Sequence, residues 1–313
     1  MLAYLTGRLA ALLPVLLVVA VVVFMLIHVT PGDPARVLLG QDATVEQVAA
    51  LRHEMGLDRP LPLQFALWLG RAVRGDLGLS FFLHLPVTTD IVQHAGPTTM
   101  LSLLGLGVAL VIGIPTGIVS AVFRNSWLDQ ASLALAMLGA AVPSFWLGLS
   151  LIVLFAVDLG WLPSSGYRSP GAGLGQSLHY LVLPALALGL PNSSLIIRFT
   201  RSSLLDVLGN DYIRTASAKG LPRPRVIFRH AMRNALVPIL TVVGLTFAAL
   251  MGGAVVTETV FSLPGIGQLV VSSVLRRDYP VIQGVILLVA TIYVLVNLAV
   301  DVLYFVVDPR VRY

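Results

Sequence analysis

The chain of 313 residues contains no cysteine and few charged residues, which make up 11% of the sequence. The absence of cysteine excludes disulfides and thiolate metal sites, although it does not identify the compartment. Soluble domains contain about 25% charged residues. Here 57% of the residues are hydrophobic, and the mean hydropathy is +0.90. The composition therefore predicts a polytopic membrane protein.

Lysine is almost absent, and the position of the single lysine excludes one energy source. A Walker A motif, the phosphate-binding loop of many ATPases, ends in a lysine followed by serine or threonine. Lys219 is followed by Gly220. The chain therefore cannot supply this motif, and the energy for transport must come from a partner protein or from an ion gradient.

Sites for metals or for hydrolytic chemistry are not indicated either. None of the six histidines is spaced four residues from another, so no helix face carries a histidine pair. The GLSL sequence that begins at Gly148 has no second glycine of a serine-hydrolase nucleophile elbow. An intramembrane hydrolase would need a serine–histidine pair or paired aspartates at matching depth, and none stand out. We predict no catalytic residue, metal or cofactor in this chain.

Long uncharged stretches are the strongest feature that the sequence does have. A helix needs about 20 apolar residues to cross a bilayer, where its backbone groups must be hydrogen-bonded within the segment. Six stretches meet this length, so we predict an all-α membrane protein with six transmembrane helices. They are residues 9–30, 98–123, 130–157, 172–197, 234–257 and 279–300. The first is too long for a signal peptide and is predicted to be a retained span.

Positive charge is concentrated between the fourth and fifth stretches. Residues 198–233, called the basic segment below, contain eight basic and two acidic side chains. The positive-inside rule places this segment in the cytoplasm. Six spans then put both termini in the cytoplasm, in agreement with Arg8 at one end and Arg310 and Arg312 at the other. The same rule explains the net charge of +5 without a nucleic-acid partner.

The sequence predicts three regions. Residues 1–30 contain the first transmembrane helix, residues 31–97 form an extracytoplasmic helical segment, and residues 98–313 form a five-helix core that includes the basic segment. In the outer segment, residues 44–57 (TVEQVAALRHEMGL) place apolar side chains near one helical face. We expect a small helical region that packs on the bundle, not a separate catalytic domain.

The middle of the basic segment is interrupted by helix breakers. Residues 211–219 favour a short helix, which the glycine and prolines that follow must end. A second helix is expected to begin near Pro224, with Arg225, Arg229 and Arg233 on one face. An interfacial helix that contacts anionic headgroups would explain these arginines. It explains the compact glycine–proline turn less well, and that turn favours docking into a groove of another protein.

The basic segment and several motifs elsewhere resemble one family of transporters. The sequence DYIRTASAKGL, followed by VIFRHAMRNALVPILTVVG, is similar to the cytoplasmic EAA-type loop of ABC-importer permeases in the dipeptide, oligopeptide and nickel subfamily. Further motifs similar to this family occur in order along nearly the whole chain. They are TPGDP, MGLDRPLPLQF, GDLGLSF, PSFWLGLSLI, LGWLPSSGY, GGAVVTETVFSLPGIGQL, RDYPVIQG and VNLAVDVLYFVVDPRVR.

The loop departs from the general family pattern near both of its ends. Arg214, Thr215 and Ala216 stand where the general pattern has Glu-Ala-Ala, and residues 230–233 replace its Ile-x-Leu-Pro. The peptide subgroup commonly diverges in the same way. Ser217 stands where that subgroup usually has arginine, which removes one cationic contact expected with the ATPase.

The resemblance implies a permease subunit of an ATP-driven importer, with the type I fold and no covalent chemistry of its own. It implies a second permease subunit, two ATP-binding subunits that bind ATP and Mg²⁺, and an extracytoplasmic binding protein that delivers di- or oligopeptides. It also places the chain in the cytoplasmic (inner) membrane. The implied ATPase-coupling residues are Thr215, Ala216, Ser217, Ala218, Lys219, Gly220 and Leu221. We expect a proline or a bulky charge at Ala216 or Gly220 to uncouple transport while the protein stays folded and inserted.

Two acidic residues in the apolar stretches are candidates for further roles. Glu258 lies at the outer end of the fifth stretch, where the resemblance implies a contact with the substrate pathway; a structural bond to a neighbouring loop is the alternative. Asp301 lies about two turns before Asp308, near the inner surface. An ionisable residue in a span is costly unless it is paired or functional. We predict a structural ion pair with Arg198 or Arg201, ahead of a proton relay.

Alternatives stay open for the energy source and for the cargo. A gradient-driven secondary transporter is the second mechanism, and it predicts ionisable residues near mid-bilayer and inverted internal repeats. The spans lack mid-bilayer acids, which counts against it. A nickel chelate or glutathione is the alternative cargo. Within the second stretch, Gly113 and Gly117 form a GxxxG pair, which predicts close packing against another helix of the same chain.

Overall fold

The computed structural model describes residues 2–29, 33–40 and 42–307 of the chain. The cationic residues Arg310 and Arg312 lie outside these ranges, as do the first three residues of the TPGDP motif and the side chain of Arg8. The described residues are helical along most of their length, and a single antiparallel bridge between Leu79 and Pro86 is the β pairing that they contain. The predicted all-α class is confirmed.

Thirteen α-helices occupy the described part of the chain. They are α1 (Leu2–Val29), α2 (Pro34–Leu39), α3 (Val45–Glu54), α4 (Leu61–Val73), α5 (Val87–Val122), α6 (Trp127–Ala141), α7 (Ser144–Leu151), α8 (Leu174–Leu208), α9 (Asp211–Ala218), α10 (Arg223–Arg225), α11 (Met232–Val260), α12 (Ile266–Arg276) and α13 (Tyr279–Val307). Two π-helical turns extend them, Ile152–Asp158 after α7 and Val226–Ala231 between α10 and α11.

Five helices of the described chain are long and apolar enough to cross a membrane, and a bent pair makes a sixth candidate. The five lie in α1, α5, α8, the continuous run Arg223–Val260 and α13. Each overlaps one of the stretches expected from the sequence, because an uninterrupted apolar run in lipid has to satisfy its own backbone groups as a helix. The polytopic membrane class is therefore confirmed.

The third predicted span is not one straight helix. Residues 130–157 were expected to form a single span, but α6 ends at Ala141, and the helical run that begins with α7 is bent by 97° from it. Pro143 has no backbone N–H to continue the helix, and it restricts the preceding residue to extended conformations. Val142 accordingly has φ −79° and ψ 120°. The span is therefore broken at this residue pair.

Helix α5 is much longer than the stretch predicted for it. It contains 36 residues and begins at Val87, whereas the apolar stretch was expected to begin at residue 98. A helix of this length extends about 54 Å, well beyond the roughly 30 Å of hydrocarbon in a bilayer. The last eleven residues of the predicted outer segment, 87–97, therefore belong to the same helix as the second span.

Two compact units make up the chain, Met1–Gly96 with Gly265–Val294 and Pro97–Pro264 with Leu295–Tyr313. The predicted core, residues 98–313, is thus shared between both units. The division into three regions stays a prediction about topology.

In the first unit, the outer helices are fixed to α1 by aromatic packing. The ring of Phe24 in α1 lies 5.4 Å from the ring of Phe65 and 5.8 Å from that of Trp68, both in α4. At the same level, the imidazole of His28 is hydrogen-bonded to Gln64 at 3.2 Å. Large aromatic rings contribute much of the packing energy at such contacts. The outer region is therefore packed on the first span.

The first unit also joins two of the sequence motifs through one buried carboxylate. Asp278, of the RDYPVIQG motif, accepts a 2.5 Å hydrogen bond from the Ser80 hydroxyl, of the GDLGLSF motif. The backbone N–H groups of Phe81 and Phe82 donate to the same carboxylate at 3.1 and 3.3 Å. A buried carboxylate is stable when several donors compensate its desolvation. The loop before α5 is therefore fixed to the corner between α12 and α13.

In the second unit, α5 and α8 pack closely where α5 carries glycine. A Cβ atom added at Gly113 would lie 2.7 Å from Cβ of Ile196, and one added at Gly117 would lie 2.6 Å from Cβ of Thr200. Contacts this short do not occur between real side chains, so larger residues cannot be placed at either position without moving α8. The intramolecular contact predicted for the GxxxG pair is present.

Candidate functional site in the basic segment

The centre of the basic segment forms a short helix followed by a sharp turn. Helix α9 spans Asp211–Ala218, and Gly220 has φ +78°, a left-handed conformation that glycine adopts at little cost. Pro222 then precedes the first turn of the next helical run, Arg223–Val260. The structure agrees with the short helix and the glycine–proline break expected from the sequence.

One face of α9 is buried and the other is exposed. Ile213 and Ala216, three residues apart and so on the same face, are only 5% and 8% exposed. They pack in an apolar cluster with residues of α5, α8 and the run that follows the turn. The other buried members of this cluster are Ala121, Leu204, Val226, Ala231, Ala235 and Ile239. Helix α9 is therefore attached to the bundle through this apolar cluster.

The exposed face of α9 and the turn that follows it contain most of the seven residues proposed for coupling. Thr215, Ser217, Ala218, Lys219 and Gly220 are exposed, and Leu221 is half-buried. Because these residues follow one another around the end of α9 and the turn, they form a continuous surface with little side-chain bulk. This surface is called the coupling surface below.

Ala216 differs from its neighbours, and the structure corrects the expectation for it. A bulky charge at Ala216 was expected to leave the protein folded, but its methyl group lies in the apolar cluster. Burying an unpaired charge is costly, so a substitution there disturbs the packing of α9 itself. Gly220 is exposed, but its positive φ strains any other residue.

A cavity of about 360 Å³ lies beneath the coupling surface. Its walls are mostly aliphatic. The lining residues are Val122, Leu208, Ile213, Ser217, Leu221, Arg223, Val226 and Ile227. The Ser217 hydroxyl donates to the backbone oxygen of Ile213 at 3.0 Å. The side chain at the position where the peptide subgroup has arginine is therefore turned back onto its own helix.

Arg223, in the turn after the coupling surface, contacts the end of α5. Its Nη2 donates to the backbone oxygen of Val122 at 2.9 Å. The guanidinium carbon also lies 5.9 Å from the centre of the Phe123 ring. The three arginines predicted to share one helical face, Arg225, Arg229 and Arg233, are exposed.

An ion pair next to this contact was not anticipated from the sequence. Both oxygens of Asp129 accept hydrogen bonds from Arg201, at 2.7 Å from Nε and 2.8 Å from Nη2. Asp129 also accepts from the Ser120 hydroxyl at 2.5 Å and from the backbone N–H of Asn125 at 2.9 Å. A charge count over residues 124–129 sums to zero and gave no signal. Asp129 nevertheless follows an N-cap serine, Ser126, which is a sequence signal for a helix start.

The partner that the structure gives Arg201 is therefore Asp129. Arg198, one turn earlier on α8, is exposed. The ion pair of Asp301 with Arg198 or Arg201 stays a prediction, and the engagement of Arg201 by Asp129 leaves Arg198 as the better candidate.

Glu258, the second acidic candidate, is fully buried near the end of α11. The Thr98 hydroxyl in α5 donates to its carboxylate at 2.5 Å, and its backbone oxygen accepts from the N–H of Leu263 at 2.8 Å. The structure thus brings Glu258 together with α5 and with the loop that follows α11. Its role in the substrate pathway stays a prediction.

The comparison with known proteins agrees with this architecture. Residues 113–313 match the family described as "Binding-protein-dependent transport system inner membrane component", and residues 1–101 match the corresponding N-terminal family. The glutathione transport system permease proteins GsiC of Escherichia coli O6:H1 and Salmonella typhimurium are each 44% identical to the chain, over 100% of both proteins.

A solved structure supports the fold independently of close sequence similarity. The MetNI methionine ABC transporter, in an inward-facing conformation, matches 70% of this chain and 96% of its own chain, with a TM-score of 0.58 and 20% identity. This likeness concerns the fold alone. The two family matches and the relatives that align along the entire length show that the chain belongs to the binding-protein-dependent permeases, the membrane-embedded pore-forming subunits of ABC importers.

Proposed function

We propose that this permease imports glutathione, or a closely similar short peptide, delivered by an extracytoplasmic binding protein. The observation that carries the proposal is the 44% identity to GsiC over the complete length of both chains. The resemblance found in the sequence favours di- or oligopeptides, and glutathione is itself a tripeptide. A nickel chelate is the cargo that this similarity disfavours.

In this proposal, ATP hydrolysis by two partner subunits drives transport. The only lysine of the chain is followed by glycine, so no Walker A motif is present in the sequence. The ATP-binding subunits hold ATP and Mg²⁺, and they contact the permease at the coupling surface. The exposed residues of that surface and the anchorage of α9 through Ile213 and Ala216 support this role. A force applied to α9 reaches the bundle through a packed core.

The proposed topology places the basic segment and both termini in the cytoplasm. The excess of arginine in residues 198–233 supports this orientation through the positive-inside rule. The coupling surface then faces the cytoplasmic ATP-binding subunits, and the outer helices face the binding protein. The membrane is the cytoplasmic, or inner, membrane.

A second permease subunit completes the pore. Large apolar side chains of α6 and α7 are between 48% and 64% exposed in the single chain. They are Leu135, Met137, Leu138, Phe145, Trp146 and Leu149. Such a patch suits lipid or another apolar helix, and this is what a subunit of a two-chain pore requires.

The buried bond from Thr98 to Glu258 supports a structural role for Glu258 rather than an exposed cargo contact.

Reconstitution in proteoliposomes tests the function. The permease pair and its ATP-binding subunits are reconstituted in liposomes that contain ATP, and the binding protein is added outside. Uptake of radiolabelled glutathione is then measured. We expect ATP-dependent uptake that an imposed proton gradient does not replace. Competition by unlabelled dipeptide, oligopeptide or nickel chelate ranks the cargo. Uptake that the purified chain drives with a gradient alone would establish the secondary-transporter alternative instead.

A further inference from the structure

We propose that Arg223 is a positioning residue that makes the turn between α5 and α6 move together with the coupling surface. This turn, residues 120–129, is called the α5–α6 turn below. The inference rests on the proposed ATP-driven function and adds a specific route for the motion. It concerns a helix end that is about 100 positions away in the sequence from the surface where the ATPase docks.

The first link in this route is the contact of Arg223 with the end of α5. The last four carbonyl groups of a helix have no partner within the helix, and a cation there also meets the negative end of the helix dipole. Arg223 supplies a hydrogen-bond donor, since its Nη2 donates to the Val122 oxygen at 2.9 Å. Its guanidinium also supplies the positive charge. The Phe123 ring beneath the guanidinium adds a cation–π contact.

The second link fixes the other side of the α5–α6 turn to α8. Asp129 binds Arg201 through both carboxylate oxygens and binds the turn itself through Ser120 and Asn125. Bidentate arginine–carboxylate pairs restrict both distance and orientation. Helix α8 leads into α9 through only two residues. The α5–α6 turn is therefore held by Arg201 before α9 and by Arg223 after it.

The cavity shows where a polar link adds to the packing. Val122 at the end of α5, Ile213 and Ser217 on α9, and Arg223 all line it. Close packing normally transmits a displacement between helices, because interiors have few voids. The ends of α5 and α9 share one apolar cluster, which includes Ala121 and Ile213. Beside that cluster, at the cavity, the bond from Arg223 to Val122 adds a directional link between the two helices.

Loss of this link has a distinct functional consequence. Arg223 is exposed, so its replacement leaves no buried charge and does not remove a buried side chain. Helix α9 still docks on the ATPase and still packs through Ile213 and Ala216. Its displacement, however, is passed less completely to the α5–α6 turn. ATP hydrolysis is expected to continue while less substrate is moved for each ATP.

The test compares Arg223→Met, Arg223→Lys and the control Arg225→Met in the complete reconstituted importer. Arg225 is an exposed arginine two residues further on, so its replacement removes the same charge from the same segment. We expect Arg223→Met to lower the ratio of substrate imported to ATP hydrolysed by about fivefold, the size of one net hydrogen bond. Arg223→Lys, which can still donate to Val122, should recover part of this loss. Arg225→Met should keep the ratio of the original protein.

Two further measurements make the outcome decisive. Co-purification of the ATP-binding subunits and the thermal stability of the complex should be unchanged in Arg223→Met. If the variant keeps the original ratio, or if Arg225→Met lowers it equally, the positioning role is refuted. If the ATP-binding subunits no longer associate, Arg223 holds the partner rather than the α5–α6 turn. If the unaltered complex imports substrate without any ATPase, it is the proposed function that fails.

Discussion

Asp129 and Arg201 are 72 positions apart in the sequence, yet their side chains form two hydrogen bonds of 2.7 and 2.8 Å. The Asp129 side chain is only 4% exposed and that of Arg201 is 22% exposed. Removing one member of a buried pair leaves the other charge without compensation. The pair is therefore expected to stabilise the junction of α5, α6 and α8.

We predict that Arg201→Met lowers the free energy of unfolding by about 3 kcal/mol, because the Asp129 carboxylate stays buried without its cation. Thermal unfolding in detergent measures the effect. Adding Asp129→Asn should restore part of the stability, since the amide needs no counter-charge. Arg229→Met, at an exposed arginine, serves as control. Equal melting temperatures for Arg201→Met and the control would show that the pair is dispensable.

The contact of α5 with α8 gives a second prediction. In Gly117→Ala the new methyl group would lie 2.6 Å from Cβ of Thr200 and 2.8 Å from the backbone oxygen of Ile197. Backbone cannot rotate away, so the two helices must separate, at a cost of about 1–3 kcal/mol. Gly107→Ala on the same helix is the matched control, because no atom lies within 4 Å of its added methyl group. Similar melting temperatures for both variants would contradict the close packing.

The two faces of α9 predict opposite phenotypes for one chemical change. Ala216→Glu buries an unpaired carboxylate in the apolar cluster, so the yield of folded protein should fall sharply. Ala218→Glu adds the same group to the exposed coupling surface. That variant should fold normally but lose association with the ATP-binding subunits. Size-exclusion profiles and co-purification distinguish the two results, and normal association in Ala218→Glu would exclude this surface as the docking site.

Asp278 predicts a local effect in the first unit. In Asp278→Ala, the Ser80 hydroxyl and the Phe81 N–H lose their acceptor, at a combined cost of about 2 kcal/mol, while the Phe82 N–H keeps its bond to Ser80 Oγ. Hydrogen exchange should therefore accelerate in the peptide covering residues 75–86 and stay unchanged in α9. Asp42→Ala, at an exposed aspartate, is the control. Unchanged exchange in that peptide would show that other contacts hold the loop.

The sequence predicted the positions of the spans because apolar runs in lipid have few structural options. It did not predict the break at Pro143, and proline alone is not a sufficient signal. Pro115, Pro184, Pro191 and Pro238 lie inside continuous helices of the same chain. Whether a proline bends or ends a helix depends on which neighbouring groups receive the freed carbonyls. That information lies in the tertiary contacts of the helix and not in its local sequence.

The candidate site was predictable to a similar degree. Helix breakers located α9 and the turn at Gly220, since these residues act through their own backbone. The burial of Ala216 and the pairing of Asp129 with Arg201 depend on helices that are distant in the sequence. A sum of charges over a short loop cannot reveal such partners, because it treats each loop as isolated.

The right-angled corner after Ala141 has a consequence for the isolated polypeptide. The carbonyl groups that end α6 can no longer bond to the following turn, and Ala141 and Pro143 are exposed in the single chain. Hydrocarbon offers such oxygens nothing, so they require water or protein beside them. A single copy of this subunit surrounded only by lipid would therefore leave carbonyl oxygens at the corner without hydrogen-bond donors. A neighbouring subunit or an aqueous vestibule at that corner would supply those donors.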